Sequence, residues 1–129
     1  MKRHPQLQDL SREHYSALKL ARAARQAAES GEMDAMTAFA QRVVRVFATE
    51  LDPHFRVEEQ GILVALARAG ENELVERTLS EHAELRRLTM LLSDPDAVTL
   101  LRFADLLAAH VRFEERELFE AAQHQMAAS

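Results

Sequence analysis

The sequence predicts an all-α protein, folded as an up-down-up-down antiparallel four-helix bundle. Three observations lead there. Only three glycines and three prolines occur in 129 residues, while alanine, leucine, glutamate and arginine, all good helix formers, are abundant. Apolar residues recur at three- and four-residue steps and rarely alternate. The breakers leave four long segments, and short connections make sequential helices antiparallel neighbours.

The first segment is expected to begin near Asp9 or Ser11, either of which can cap a helix, and to run to about Glu29, before Ser30-Gly31. Leu7, Leu10, Ala17, Leu18, Ala21, Ala24 and Ala28 mark its apolar side. The second starts after Asp34 and extends to Ala69, with Gly70 as its C-terminal stop. Pro53 interrupts it and predicts a kinked but continuous helix, a break into two helices being the alternative. The third runs from about Glu71 to Leu92. Ser93-Asp94-Pro95 then reads as a turn, with Asp94 as cap and Pro95 at the first position of a fourth helix ending near Gln123.

Composition narrows the function. Apolar content of 47%, charged content of 29% and a net charge of −5 describe an ordinary soluble domain without a nucleic-acid footprint. The absence of cysteine excludes disulfides, thiolate zinc sites, iron–sulfur clusters and thiol nucleophiles. No apolar run approaches the roughly 18 residues of a membrane span. The start, MKRHPQLQDL, is basic but lacks the apolar core of a signal peptide, so a cytoplasmic setting is expected.

One pattern stands out. His54–Glu58 in HFRVEE and His110–Glu114 in HVRFEE repeat a His-x3-Glu spacing, and each is preceded by a lone histidine, His14 in SREHYSAL and His82 in SEHAELRRL. A spacing of four puts both side chains on one helix face. His82 lies twelve residues after Gly70 and Glu58 twelve before it, so the two share a height in an antiparallel hairpin. The chain thus reads as a weak duplication of two helical hairpins around a shared site. All six residues interrupt apolar stripes instead of sitting on the solvated side. An ionised carboxylate buried there without a partner costs several kcal/mol, and no lysine or arginine shares the inward rows. A lone His-x3-Glu is ordinarily an exposed pair; its double occurrence at matching heights points to two cations between the helices.

Glu59 and Glu115, about 140° around the helix from their histidines, are expected to be solvated, although Glu115 is an alternative to Glu114 as ligand. Glu13 and Glu81 face outward or accept from an imidazole N–H. Tyr15 is expected to be a partly buried packing residue. Glu117 belongs to the surface, and His4 and His124 are peripheral. Nitrogen and oxygen donors without sulfur suit iron, with zinc or manganese as alternatives. Structural zinc prefers a closed tetrahedral shell, so an open dinuclear site favours iron.

The segments HPQLQDLSREHYSAL, ELDPHFRVEE, SEHAELRRL and AAHVRFEERELF resemble the hemerythrin-like, or HHE cation-binding, domain family, over nearly the whole of residues 1–129. The resemblance implies a four-helix bundle with a bridged centre of two iron ions, held by His14, His54, Glu58, His82, His110 and Glu114. Two departures matter. Oxygen-carrying members have a His-x3-His pair on the third helix, where this chain has Arg86 four residues after His82. They also carry an aspartate five residues after the last histidine, where this chain has Glu115, with Glu114 at four. The four-histidine, two-glutamate set is similar to that of bacterial di-iron proteins linked to iron–sulfur repair, without their additional cysteine-bearing N-terminal domain. The expected function is to bind or sense a small diatomic ligand, O2 or NO, or to handle iron in response, with neither nucleic acid nor membrane as partner. A di-iron enzyme acting on peroxide or nitric oxide, and a bundle merely stapled by metal, are the competing readings.

Overall fold

The computed structural model describes residues 3–128. Helix α1 (Pro5–Ser30) starts earlier than expected, because Pro5 sits where a missing N–H costs nothing and the His4 ring accepts the Gln6 N–H. It ends at Gly31, whose φ of +67° is the left-handed stop that glycine tolerates. A two-residue link leads to α2 (Met33–Val46).

The column continues through a π-helical turn (Phe47–Leu51) into α3 (Asp52–Gln60) and, after Gly61, α4 (Ile62–Arg68). Pro53 therefore does not end the helix. It cannot donate to the carbonyl one turn back, and its ring presses on that turn. The widened turn relieves both, its ring closed by Asp52 N–H to Phe47 O. At the far end Glu71 N–H returns to Leu66 O and Gly70 N–H to Ala67 O, closing the column as a Schellman motif.

Helix α5 (Asn72–Leu91) is followed by α6 (Ala97–Phe113), whose cap is Asp96 and not Asp94. Asp94 N–H is still bonded back to Leu91 O, so it belongs to the tail of α5. Asp96, in extended backbone, accepts the Thr99 N–H at 2.8 Å. A second π-helical turn (Glu114–Leu118) and α7 (Phe119–Ala128) complete the fourth column, beyond the expected end at Gln123.

The columns pack as a four-helix bundle: α1 lies against α6 and α2, α5 against α6, and α4 against α5 and α7. On α1 the inward face is mostly small, with Ala17, Ala21, Ala24 and Ala28 buried, which lets α6 approach closely. Two apolar blocks fill the interior. The larger includes Phe47, Phe55, Leu85, Leu88, Leu100 and Phe103. The smaller, built on Leu7, Leu10, Leu66, Leu118 and Phe119, lies toward the other end. The conspicuous polar residues fall along the chain between these blocks. Among the described residues, no helix is long and apolar enough to cross a membrane.

Candidate metal centre

Four columns each send one histidine inward, from α1, α3, α5 and α6. His14, His54, His82, His110, Glu58 and Glu114 are all at most 4% exposed. The imidazoles converge through Nε2 on the two carboxylates. Glu58 sets one oxygen 3.1 Å from His54 Nε2 and the other 3.1 Å from His82 Nε2. Glu114 Oε1 lies 2.7 Å from His14 Nε2 and 3.8 Å from His54 Nε2. Its Oε2 lies 3.0 Å from His110 Nε2 and 3.7 Å from His82 Nε2. The six predicted residues are thus brought together, as two groups that share both carboxylates: His14, His54, Glu58 and Glu114, and Glu58, His82, His110 and Glu114.

The outward nitrogens reveal a second layer. His14 Nδ1 is 2.7 Å from Glu115, His54 Nδ1 2.8 Å from Glu13, His82 Nδ1 2.8 Å from Glu59, and His110 Nδ1 2.7 Å from Glu81. Carboxylates accept, so each Nδ1 carries a proton, which leaves Nε2 as the nitrogen that can offer a lone pair inward once its own proton is given up. The acids form a closed ring: the first column supports the histidine of the second, the second the third, the third the fourth, and the fourth the first.

Glu59 and Glu115 are therefore not solvated, as expected from their angle to the histidines, but half-buried partners of them. Each sits one residue, about 100°, from an inward ligand position, which aims it at the flank of the neighbouring helix. The signal was available, since an acid directly adjoins an inward residue at Glu13, Glu59, Glu81 and Glu115. Tyr15, expected to be partly buried, is 69% exposed, with the Lys19 ammonium over its ring. Leu79, one turn before His82, is also exposed.

Electrostatics divide the two central carboxylates. For Glu114 burial alone would raise the pKa, but the four imidazoles that face it, His110, His14, His54 and His82, hold it well below the usual range. For Glu58 burial and the charge of Glu114 outweigh His54 and His82, and the pKa rises. Burial would lower the histidines, yet the carboxylates prevail. Glu114, Glu58 and Glu13 push His54 to about 11, and Glu114 and Glu81 push His110 to about 9.

The donor set fits a pair of metal ions. Six buried atoms at this centre make no hydrogen bond of acceptable geometry: His54 Nε2, His82 Nε2, His110 Nε2, both Glu58 oxygens and Glu114 Oε2. Buried polar atoms normally find partners, and nitrogen and carboxylate donors facing one small volume are what divalent or trivalent cations require. A cavity of about 180 Å³ reaches His14, His54, His110 and Glu114 from the exposed Thr49 and Glu50 on the first π-helical turn. His82 itself is covered by the Phe55 ring, which stacks on it at 3.9 Å.

Arg86 does not enter the centre. Its guanidinium turns to Glu59, at 2.9 and 3.1 Å, and to Asp52, at 2.7 Å. Among known proteins, the family model described as the hemerythrin HHE cation binding domain matches residues 6–122. No curated protein and no solved structure matches the chain.

Proposed function

Since the chain belongs to the hemerythrin HHE cation-binding family, we propose that it is a non-haem di-iron protein that binds or senses O2 or NO, or handles iron in response to them. The observation that carries this reading is the pair of four-residue groups sharing Glu58 and Glu114, with a cavity leading to four of the six residues. His14 and His54 would hold one ion, His82 and His110 the other, and the two carboxylates would span both. Four protein donors leave an ion that prefers five or six ligands with open positions. When bound, iron supplies a Lewis acid with accessible redox states for a small ligand.

The chain's own groups do the rest. Glu13, Glu59, Glu81 and Glu115 retain the Nδ1 protons and fix each ring so that Nε2 faces inward. Leu51, Phe55, Leu107 and Val111 line the cavity with apolar surface, which favours a small neutral ligand over bulk water. With Arg86 in place of a further histidine, an ion held by His82 would have one protein donor fewer than in the oxygen carriers, which argues for sensing or iron handling over storage.

The test is metal analysis of protein loaded with iron anaerobically, followed by visible spectra with azide, O2 and NO. Two irons per chain and a charge-transfer band that responds to each ligand are expected. Colourless protein without iron would sink the proposal. A zinc-stapled bundle is the second reading, because four donors per group match a closed tetrahedral shell. It requires that chelation abolish folding and that small ligands have no effect, and the cavity argues against it.

A further inference from the structure

The chain repeats itself, and the place where the repeat fails is informative. Aligning the hairpins on their ligands pairs His14 with His82, His54 with His110, Glu13 with Glu81 and Glu59 with Glu115. In that register Arg86 corresponds to Leu18, Asp52 to Ala108 and Phe55 to Val111. The contact of Arg86 with Asp52, Phe55 and Glu59, made between the two hairpins, thus has no such arginine at its counterpart, where Leu18 faces Ala108, Val111 and Glu115 in the alignment.

Arg86 reaches one imidazole by two routes. Its Nη1 and Nη2 grip both oxygens of Glu59, and Glu59 Oε2 also accepts from His82 Nδ1 at 2.8 Å. Its Cζ lies 5.7 Å from the centre of the Phe55 ring, which itself stacks on His82 at 3.9 Å. The Nε contact to Asp52, two turns before Glu59 on α3, fixes the fork between α5 and α3. Such bidentate pairing holds a carboxylate in one orientation.

The supports of the other histidines are graded. Glu81, which holds His110, is bonded by Arg77 Nε at 3.1 Å. Glu115, which holds His14, has Ser11 on its carboxylate at 2.8 Å, while Arg3 donates to its backbone carbonyl at 3.0 Å and stays 3.8 Å from the carboxylate. Among the described residues, Glu13, which holds His54, has no cationic side chain other than that imidazole as partner, and it is 56% exposed on the cavity. Both supports behind His82 and His110 are therefore clamped by arginine, while those behind His14 and His54 are looser.

Resting on the two-ion reading above, we propose that Arg86 is a positioning residue for the His82/His110 ion, and that it makes the two metal positions inequivalent. That position is the tighter and fills first, because its imidazoles are already held where the ion needs them. The opposing effect, repulsion between the guanidinium and a cation, is offset by Glu59, which takes both Nη donors, and by Asp52, which Arg86 shares with Arg56.

The experiment is stepwise titration of chelator-treated protein with Co(II), for wild type, R86L and R86K, by visible absorption and by proton NMR of the paramagnetically shifted imidazole N–H signals. Wild type should bind two ions in resolved steps and show four exchangeable N–H signals. In R86L the tighter step should weaken by roughly 10–100-fold, as for other groups that orient metal-binding imidazoles, and one signal should broaden or vanish. R86K, a point charge without the fork, should recover only part of the affinity. Should R86L not fold, R86Q carries the same comparison. Unchanged steps with four unchanged signals overturn the proposal. Equal weakening of both steps with a lower melting temperature also overturns it, since that marks a general staple. Wild-type protein that binds no metal removes the two-ion reading instead, so the two failures are distinguishable.

Discussion

Glu58 and Glu114 are chemically identical and both fully buried, yet their replacement by glutamine should have very unequal consequences for the stability of chelator-treated protein. Glu114 serves as counter-charge to four imidazoles, between 2.7 and 3.8 Å away. They hold its pKa well below the usual range. Removing that charge leaves protonated histidines buried without their principal partner, and breaking a buried pair of this kind costs about 3–5 kcal/mol. Glu58, by contrast, is pushed toward its protonated form by burial and by Glu114. Glutamine is close in shape and polarity to a neutral glutamic acid, so Glu58→Gln should cost less than about 1 kcal/mol. Urea denaturation at pH 7 with chelator present separates the two. With a slope of roughly 2 kcal/mol per molar, Glu114→Gln should move the midpoint down by about 2 M, while Glu58→Gln should hardly move it. Equal shifts for the two variants would refute the division of charge argued here. In metal titrations both variants should fail alike, because both carboxylates belong to both groups.

The same histidines make the chelator-treated protein sensitive to base. His54 and His110 bind protons more tightly folded, at about 11 and about 9, than at their ordinary 6.5; their contribution is full below about 6.5 and drains as pH rises through 9 toward 11. The urea midpoint should therefore fall steadily between pH 7 and 10, and a flat profile would contradict it. Metal must displace those protons, so calorimetric heats of metal binding should vary with the ionisation enthalpy of the buffer, showing proton release. Gly70→Ala, at a φ of +85°, should cost about 1–2 kcal/mol in thermal or urea unfolding and leave metal stoichiometry intact. Thr49→Trp, at the exposed end of the cavity, should slow azide binding to the iron-loaded protein in stopped-flow absorbance without changing the iron content; an unchanged rate would place the route elsewhere.

Local rules carried far along this chain. The inward row of His14, His54, Glu58, His82, His110 and Glu114 was legible because helical periodicity depends only on spacing, and each of the six interrupts an apolar stripe. The stop at Gly70 was legible for the same kind of reason, since glycine alone adopts a positive φ without strain. Cap positions were less so. Asp94 and Asp96 are both competent acids two residues apart, and the choice fell to whichever N–H was not already bound to the preceding helix. The π-helical turn before Pro53 was legible only as a kink, and the one at Glu114 has no proline to mark it.

The sequence alone determined the all-helical architecture, the four long segments and the inward-facing histidines and glutamates, all consequences of spacing within single helices. Only the tertiary structure decided which helix flanks which. That adjacency turned Glu59 and Glu115 from apparently solvated acids into partners of His82 and His14, closed the ring of supports, and gave Arg86 its grip on one half of the centre. Side chains on the shoulder of a helix meet whatever the neighbouring helix presents, and no periodicity within one strand of sequence contains that information.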